Sequence, residues 1–259
     1  MNESKFLKIA KEAALQAGKV IMNYYGKDHK LRFKTDNSDF ATQADLEAEK
    51  VIVDIIRKNF PSHNIIAEEK VRIDNNSEYT WAIDPVDGTI SFASNMPFFS
   101  VSIGLLKNNE PIVGIIYHVE EKDLYFAEKG KGAFLNGTKI SVSKTNQLDR
   151  AVIGLGIGTI TRRKAKLKDY FDPLLNKVLS VYILGGGAVT MALVARGSLD
   201  AFPNEAWVWD QAAAGVIIPE AGGRISDRFG NPVDWSAERA EFICSNGLIH
   251  DAILEVLKR

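Results

Sequence analysis

The sequence predicts an α+β fold that continues into an α/β half, with the change near residue 150. Three observations lead to this prediction. The chain begins with two stretches whose apolar residues recur at helical spacing. A series of strands follows, separated by Asn, Gly and Pro turns. Beyond residue 150, short apolar strands alternate with helical segments, which is typical of α/β units.

Two helices are predicted in the first 60 residues. Apolar positions from Ser4 to Tyr25 fall on one helical stripe, and a second stripe runs from Thr42 to the residue before Pro61, where proline ends the helix. Strands are predicted at 63–67, 79–83, 98–106, 111–117, 124–128 and 132–135. The Asn136-Gly137 pair that follows is typical of a tight hairpin turn.

The second half has three predicted strands, at 151–155, 181–184 and 242–247. Helices are predicted at 162–179, 188–195, 211–220 and 248–257. Pro173 marks a break in the first of these helices or the start of a second piece. Gly222-Gly223 stands where glycine commonly ends a helix, after residue 220.

The composition is that of a soluble globular protein, with 259 residues, 46% hydrophobic and 25% charged. Because 32 basic residues are balanced by 33 acidic ones, a nucleic-acid partner is not expected. The single cysteine, Cys244, excludes an intrachain disulfide and fits a reducing compartment. The N-terminus lacks a signal-peptide pattern, and no run approaches the roughly 20 apolar residues that span a bilayer. We therefore expect a cytoplasmic protein that does not enter a membrane.

One stretch, Asp84-Pro85-Val86-Asp87-Gly88-Thr89, has the chemistry of a binding site. Pro85 favours extended backbone at Asp84, so that Asp84 would end the preceding strand. If Thr89 begins a helix, the amides of Gly88 and Thr89 point at a site where a phosphate binds readily. Two carboxylates beside a phosphate require a cation between them, and Mg²⁺ prefers oxygen ligands.

Other acids have both a structural and a functional interpretation. Glu68 and Glu69 follow an apolar strand and would be either solvated loop charges or, for Glu68 first and Glu69 in reserve, ligands of the same cation. Asp210 directly precedes an apolar helix, which favours a role as its N-cap. Asp45 lies three residues after Thr42, as in a capping box. From these residues alone, Asp45 is interpreted as structural, whereas a metal-binding role for Asp210 depends on which residues lie near it in the fold.

Other kinds of catalytic site gain no support. The four histidines are scattered without a pair at ligand spacing, so a zinc site is not expected. Cys244 lies in an apolar strand, which favours a place in the core over a nucleophile. The glycine-rich stretches 153–159 and 185–187 do not fit the dinucleotide-binding fingerprint.

Taken together, Asp84-Pro85-Val86-Asp87-Gly88-Thr89, Glu68-Glu69 and Trp209-Asp210 with Glu220-Ala-Gly-Gly resemble the inositol monophosphatase family of magnesium-dependent, lithium-sensitive phosphatases. The resemblance covers essentially the whole chain. It implies a layered α-β-α-β-α sandwich forming one catalytic domain, 1–259, with subdomains of about 1–150 and 151–259. It also implies a homodimer, a small phosphate ester as substrate, and two or three Mg²⁺ per active site.

The resemblance assigns roles to individual residues. One Mg²⁺ would be held by Glu68, Asp84 and the carbonyl of Ile83, and a second by Asp84, Asp87 and Asp210. Asp45, contrary to its capping interpretation, would hold a metal and help to position the attacking water. Glu68 and Thr89 would orient that water, and the amides of Gly88 and Thr89 would hold the phosphate. The residues expected to contact the substrate are Asp87, Gly187, Glu205 and Asp210.

The substrate pocket departs from the family pattern. Members specialised for inositol phosphates carry a glutamate several residues before Trp-Asp, but here this segment is one residue shorter, so Glu205 is out of register by one. The bare Gly185–Gly187 stretch suggests a roomy site. The basic run from Arg162 to Lys168 would be a solvated helix face or would meet the second phosphate of fructose 1,6-bisphosphate.

The expected activity is hydrolysis of inositol monophosphate or a similar small polyol or sugar phosphate. Three alternatives remain: a fructose-1,6-bisphosphatase, alone or with dual specificity; a histidinol phosphatase; and a regulatory binding protein with secondary phosphatase activity. The bisphosphonucleotide branch of the superfamily is disfavoured, because the motif continues Thr89-Ile90-Ser91-Phe92 and lacks the lysine and acid common there.

Overall fold

A computed structural model describes residues 3–258. The helices are α1 (Lys5–Met22), α2 (Gln43–Asn59), α3 (Thr89–Ala93), α4 (Ile160–Lys166), α5 (Asp172–Leu175), α6 (Gly187–Ala195), α7 (Val208–Gln211), α8 (Ala214–Glu220) and α9 (His250–Leu257). A π-helical stretch, Leu167–Phe171, joins α4 to α5, and a 3₁₀ turn occupies Leu148–Arg150.

The strands of the first half are β1 (Arg32–Phe33), β2 (Phe40–Ala41), β3 (Asn64–Ala67), β4 (Arg72–Ile73), β5 (Tyr79–Asp87), β6 (Ser100–Lys107), β7 (Glu110–His118), β8 (Asp123–Glu128), β9 (Ala133–Leu135) and β10 (Thr138–Lys139). Those of the second half are β11 (Val152–Gly154), β12 (Ser180–Tyr182), β13 (Ala201–Trp207), β14 (Arg224–Ser226) and β15 (Arg239–Ser245).

Within residues 3–258 these strands form two large sheets and one small hairpin. The first sheet has eight strands in the order β10-β9-β8-β7-β6-β5-β3-β4, with β3 and β5 parallel and the other neighbours antiparallel. The second has five strands in the order β12-β11-β13-β15-β14, of which β12, β11 and β13 are parallel. The hairpin pairs β1 with β2.

The layers alternate between helices and sheets, which confirms the expected α-β-α-β-α sandwich. Helices α1 and α2 pack on one face of the first sheet. Helices α6, α7 and α8 lie between the two sheets and contact both. Helix α9 packs on β15 and α5 at the far side of the second sheet. In the part of the chain that the structure describes, no helix is both long enough and apolar enough to cross a membrane.

Local sequence accounts for the first two helices. Ser4 precedes α1, and its Oγ accepts the N–H of Leu7 at 3.2 Å, as the N-cap rule predicts. Four alanines on the inner side of α1 are fully buried, and their small size lets α1 lie close to α2 and the sheet. Helix α2 begins after Thr42 and ends before Pro61, close to the predicted bounds.

The prediction that the strand ends at Asp84 is wrong, because β5 continues to Asp87. The register with β6 shifts between Asp84 and Asp87, so the two carboxylates flank a β-bulge. Pairing with β3 reaches only to Ile83, and a proline without an N–H is therefore tolerated at position 85. The bulge places two acids of one strand at the edge where the halves of the molecule meet.

Strand β13 is absent from the predicted elements, and it contains Pro203, a residue that is uncommon in a strand interior. It pairs with β15 along its whole length, from Ala201 to Trp207, but with β11 only at Ala201. Among the described residues, the β11 side of β13 thus has no partner strand beyond Ala201, and a missing N–H there leaves the ladder intact. This strand leads directly to Asp210.

Candidate active site

Three carboxylates from distant parts of the chain converge on one point. The carboxylate oxygens of Glu68, Asp84 and Asp210 lie within 4.8 Å of one another. Glu68 follows β3, Asp84 lies in β5, and Asp210 lies in α7, so that both halves of the molecule contribute. Such an oxygen-only group is a suitable ligand set for a hard divalent cation.

The charges of this cluster are costly in the absence of a cation. Burial raises the pKa of Asp84 and of Asp210 well above the ordinary value, and the neighbouring charge of Glu68 raises both further. A divalent cation would replace this repulsion with attraction. These buried carboxylates therefore have the charge and the ligand atoms of a metal site.

Asp87 lies beside the cluster and also caps the N-terminus of α6. Its Oδ1 accepts the N–H of Gly187 at 3.0 Å and its Oδ2 accepts the N–H of Ala188 at 2.8 Å, both in the first turn of α6. Ser100 Oγ is 3.3 Å from Oδ2. Burial nevertheless raises the pKa of Asp87 to about 6. Asp87 thus joins the metal cluster to the glycine stretch of the pocket.

Asp45 combines the two roles considered for it. Its Oδ2 accepts the N–H of Thr42 at 2.8 Å and the Thr42 hydroxyl at 2.6 Å, which completes the predicted cap of α2. Its Oδ1 accepts the hydroxyl of Thr89 at 3.3 Å. Asp45 is fully buried, and burial raises its pKa to about 6. One oxygen caps a helix while the other reaches the active site.

Asp210 is not the N-cap that the sequence suggested. Helix α7 begins at Val208, and Asp210 is its third residue. Its Oδ2 accepts the N–H of Trp207, the true N-cap residue, at 3.0 Å. A carboxylate has a second oxygen, so this bond is compatible with a place in the acidic cluster. The predicted helix 211–220 is correspondingly two helices, α7 and α8.

Gly88 and Thr89 form the start of α3, as predicted. Gly88 has φ +87°, and a Cβ there would lie 2.6 Å from the carbonyl oxygen of Phe98, so only glycine fits. The Thr89 hydroxyl lies 3.1 Å from the carbonyl of Val86. The carbonyl of Ile83, an expected metal ligand, accepts the N–H of Glu68 at 3.0 Å and retains a second lone pair.

The loop after β3 is held by two residues that the sequence analysis did not identify. Lys34 Nζ lies 2.8 Å from Glu68 Oε1 and 2.6 Å from Glu69 Oε1. Glu49, buried in α2, accepts the N–H groups of Glu69 at 2.8 Å and Lys70 at 3.1 Å. Glu49 is an acid on the apolar stripe of α2, and this position in the sequence could have indicated that its side chain is buried. Glu68 is the member of its pair that joins the cluster, while burial raises the pKa of Glu69 to about 7.

A cavity of about 450 Å³ opens from Asp87 and Asp210 into the second half. Gly187 and Glu205, both expected substrate contacts, lie in its lining. The solvated-face interpretation of the basic run is wrong for Lys166, which is 7% exposed and lines the cavity. Basic side chains form one wall: Arg162, Arg163, Lys166 and Arg239.

Two consecutive residues of β13, Asn204 and Glu205, line the cavity and contact these basic side chains. Asn204 is buried, and Lys166 Nζ donates to its Oδ1 at 2.6 Å. The neighbouring Glu205 forms ion pairs with Arg162 and with Arg239. Burial lowers the pKa of Lys166 to about 8, against an opposing effect of Glu205. The wall of the cavity formed by α4, Arg239 and Glu205 therefore carries more positive than negative side chains.

Two glycines in the first sheet set the position of Asp210. Gly104 and Gly114 are directly paired across β6 and β7 and face the junction of α7 and α8. A Cβ at Gly104 would lie 2.6 Å from the Cβ of Ala212, and one at Gly114 would lie 2.2 Å from the carbonyl oxygen of Ala213. The sequence could have indicated this contact, because a glycine inside a predicted strand often marks a place where another backbone segment packs closely on the strand.

Known proteins of the same organisation were found by both sequence and structure. Residues 2–259 match the model of the "Inositol monophosphatase family". The chain is 36% identical over 261 residues to a "Fructose-1,6-bisphosphatase/inositol-1-monophosphatase" of Aquifex aeolicus, covering 100% of this chain and 97% of that protein. It is 35% identical over 237 residues to inositol monophosphatase 1 of Homo sapiens, covering 87% and 84%.

Solved structures have the same fold. The extragenic suppressor protein suhB of Bartonella henselae superimposes with a TM-score of 0.92 at 30% identity, covering 99% of each chain. The IMPase of Thermotoga maritima superimposes with a TM-score of 0.87 at 33% identity, covering 98% of this chain and 97% of that one. The family match and these relatives extend over the acidic cluster and the cavity alike. The chain therefore belongs to the inositol monophosphatase family and is a phosphoric monoester hydrolase of the inositol-1-monophosphatase type.

Proposed function

We propose that the protein is a Mg²⁺-dependent phosphatase that hydrolyses inositol monophosphate or a similar small polyol or sugar phosphate within a single catalytic domain. The observation that carries this proposal is the convergence of Glu68, Asp84 and Asp210 within 4.8 Å at one end of the cavity. The relatives named for inositol-1-monophosphatase activity support the substrate class.

The residues present fit a site for two or three Mg²⁺. Glu68, Asp84 and the Ile83 carbonyl would hold one ion, and Asp84, Asp87 and Asp210 a second, all through oxygen. Bound there, Mg²⁺ would make water a stronger nucleophile and neutralise charge on the phosphoryl group.

The other residues of the site act by position. The Thr89 hydroxyl lies 3.3 Å from Asp45 Oδ1, so when its proton points to Asp45 its oxygen is free to accept a hydrogen bond from the attacking water. Glu68 would accept a second hydrogen bond from that water and so help to orient it. The amides of Gly88 and Thr89, at the start of α3, would bind the phosphate oxygens and fix them for in-line attack.

The direct test compares phosphate release from inositol 1-phosphate and fructose 1,6-bisphosphate with Mg²⁺ and with a chelator. Mg²⁺-dependent release from the first alone would assign an inositol monophosphatase, and release from both would assign dual specificity. A folded protein that releases no phosphate from either would contradict this substrate assignment. Histidinol phosphate would then be assayed, and failure there too would favour a regulatory binding protein.

Mg²⁺ is expected to raise the melting temperature more at pH 8 than at pH 6. Asp45 and Asp87 have pKa values raised to about 6 from 3.8, and Glu69 to about 7 from 4.5. At pH values between the unfolded and the folded pKa of each acid, the metal-free folded state binds more protons than the unfolded state. The stability of the metal-free protein therefore falls as the pH rises through this range. Mg²⁺ competes with the same protons and is therefore most stabilising once they have dissociated.

Differential scanning fluorimetry with and without Mg²⁺ at both pH values measures this linkage. His250, whose pKa burial lowers to about 4, makes the folded state less stable as the pH falls through the unfolded value of 6.5. That effect is common to the two metal states and cancels in the difference between them. An equal or larger Mg²⁺ shift at pH 6 would contradict the assignment of Asp45 and Asp87 to the metal site.

A second substrate, fructose 1,6-bisphosphate, is favoured by the basic wall of the cavity. In this wall, Arg162 and Arg239 form ion pairs with Glu205, whereas Lys166 donates a hydrogen bond to the neutral side chain of Asn204. A buried cation that faces a cavity and contacts a neutral amide is a suitable partner for an anionic group of the substrate. The size of the cavity, about 450 Å³, leaves room for a second phosphate.

Lys166→Met is accordingly expected to raise the KM for fructose 1,6-bisphosphate by about tenfold or more, the effect of losing a charge-assisted hydrogen bond. The effect on inositol 1-phosphate should be smaller, because that substrate has no second phosphate. The assay belongs at pH 7, where a lysine with a pKa of about 8 is charged. Lys164→Met, an exposed lysine of the same helix, is the matched control. Equal KM changes for both substrates would refute a role in selectivity.

A further inference from the structure

Helix α4, which carries three of the basic side chains of the cavity, is held at its start by a segment from the other half of the molecule. That segment is the β1–β2 hairpin, residues 32–41. The Oγ of Ser38 accepts the N–H of Ile160 at 2.8 Å, and Oδ2 of Asp36 accepts the N–H of Thr161 at 3.2 Å. The Ser38 hydroxyl in turn donates to Asp36 Oδ1 at 2.5 Å.

Helix α4 has little of its own to stabilise this end. Its N-cap residue, Thr159, makes no side-chain capping bond, and its first turn contains no acid. Arg162 lies in the first turn, where positive charge is unfavourable. The helix has seven residues before it continues into the π-helical stretch, so the order of its first turn depends on tertiary contacts. The side chain of Ile160 is 53% exposed and provides little packing.

The other end of the helix is anchored independently. Lys166 is buried against Asn204, and the buried Tyr170 follows in the π-helical stretch. The hairpin itself is tied to the metal cluster, because Lys34 pairs with Glu68 and Glu69. Five residues of chain, from Lys34 to Ser38, thus connect a proposed metal ligand with the first turn of the substrate-pocket helix.

We propose that Asp36 and Ser38 are positioning residues: they supply, from the first half of the molecule, the N-terminal cap that α4 lacks, and so hold Arg162 and Arg163 in place for the substrate. The kinetic part of this proposal rests on the proposed function. The structural part does not, since it concerns the order of α4 in the substrate-free protein.

Hydrogen exchange of the substrate-free protein with Mg²⁺ tests the structural part. In the double variant Asp36→Ala/Ser38→Ala, amides across α4, and not those of Ile160 and Thr161 alone, should exchange about threefold to tenfold faster, as expected for the loss of one or two hydrogen bonds. The single variant Ser38→Thr keeps both Asp36 and a hydroxyl at position 38. Its α4 amides should therefore be much better protected from exchange than those of the double variant. Asp39→Ala is the matched control, because Asp39 accepts from Thr35 within the hairpin at 2.6 Å.

Steady-state kinetics tests the consequence. The double variant should raise the KM for fructose 1,6-bisphosphate about threefold to tenfold and lower kcat by less, since the chemical groups at the metal cluster are unchanged. Asp39→Ala should leave KM within about twofold of the wild type. Wild-type exchange across α4 in a folded double variant would overturn the proposal. Absence of phosphate release from the wild type would instead defeat the proposed function, and the exchange result would still decide the role of the hairpin.

Discussion

Asp84→Asn is expected to reduce phosphate release on the order of 10³-fold or more and, in the same protein, to make the metal-free state more stable. Asp84 is 2% exposed and lies within 4.8 Å of the carboxylates of Glu68 and Asp210. Burial and these neighbours raise its pKa well above the ordinary value, so the metal-free protein bears the cost of an unneutralised charge. Asparagine has almost the same shape without that charge.

Thermal unfolding with and without Mg²⁺ separates the two effects. The metal-free variant should melt at least about 2–4 °C above the metal-free wild type, which corresponds to about 1 kcal/mol. The increase in melting temperature caused by Mg²⁺ should be largely lost, because a shared ligand is missing. Asp54→Asn, at a side chain that is 58% exposed, controls for the change from carboxylate to amide. Near-normal turnover would remove Asp84 from the ligand set, and a less stable metal-free variant would refute the argument from buried charge.

Gly114→Ala is expected to reduce turnover on the order of 10²-fold although Gly114 lies outside the active site. The added Cβ would be 2.2 Å from the carbonyl oxygen of Ala213 and 2.9 Å from its carbonyl carbon. Because these are backbone atoms, the junction of α7 and α8 must move away from the sheet. Asp210 lies three residues before Ala213 and would move with it, away from Asp84. The same overpacking should reduce the free energy of unfolding by about 1–3 kcal/mol.

Gly130→Ala distinguishes this displacement from a simple loss of stability. Gly130 has φ +79° and no neighbouring atom within 4 Å of an added Cβ, so alanine there is strained without a clash. The expected cost is about 1–2 kcal/mol, with turnover unchanged below the melting temperature. Mg²⁺ titration of both variants by calorimetry should show weaker binding for Gly114→Ala alone. If Gly114→Ala matched Gly130→Ala in stability and kept wild-type turnover, the two glycines would not set the position of Asp210.

Periodicity along the sequence was sufficient for most elements, whereas their grouping into layers was expected from the family resemblance. The helical stripe of α1, the capping box of α2 and the apolar runs of β6 and β7 are local patterns, and the structure has them close to the predicted bounds. The predicted elements are correct at Pro61, which follows the end of α2, but they depart from the structure at Pro85 and Pro203, which lie inside strands. Whether the missing N–H matters there depends on how far the neighbouring strand extends.

The contiguous part of the site could likewise be predicted from the residues. Asp84, Asp87, Gly88 and Thr89 lie within six positions of the chain, and the backbone preferences of proline and glycine keep that stretch extended and then turned. The family resemblance added Glu68, Asp45 and Asp210 as expected partners. Their own neighbours in the sequence favoured helix caps or loop charges, and the structure has the cap hydrogen bonds of both aspartates as well.

By itself, then, the sequence determined the order of the elements and the chemistry of one loop, because both depend on residues within a few positions of each other. Tertiary structure alone decided the rest. It brought Asp210 to Asp84 over the paired glycines Gly104 and Gly114, and it buried Lys166 where the sequence suggested a solvated face. It also placed Ser38 on the first turn of α4, across 122 residues of chain. Contacts at such separations depend on how sheets and helices pack, and no local pattern encodes that packing.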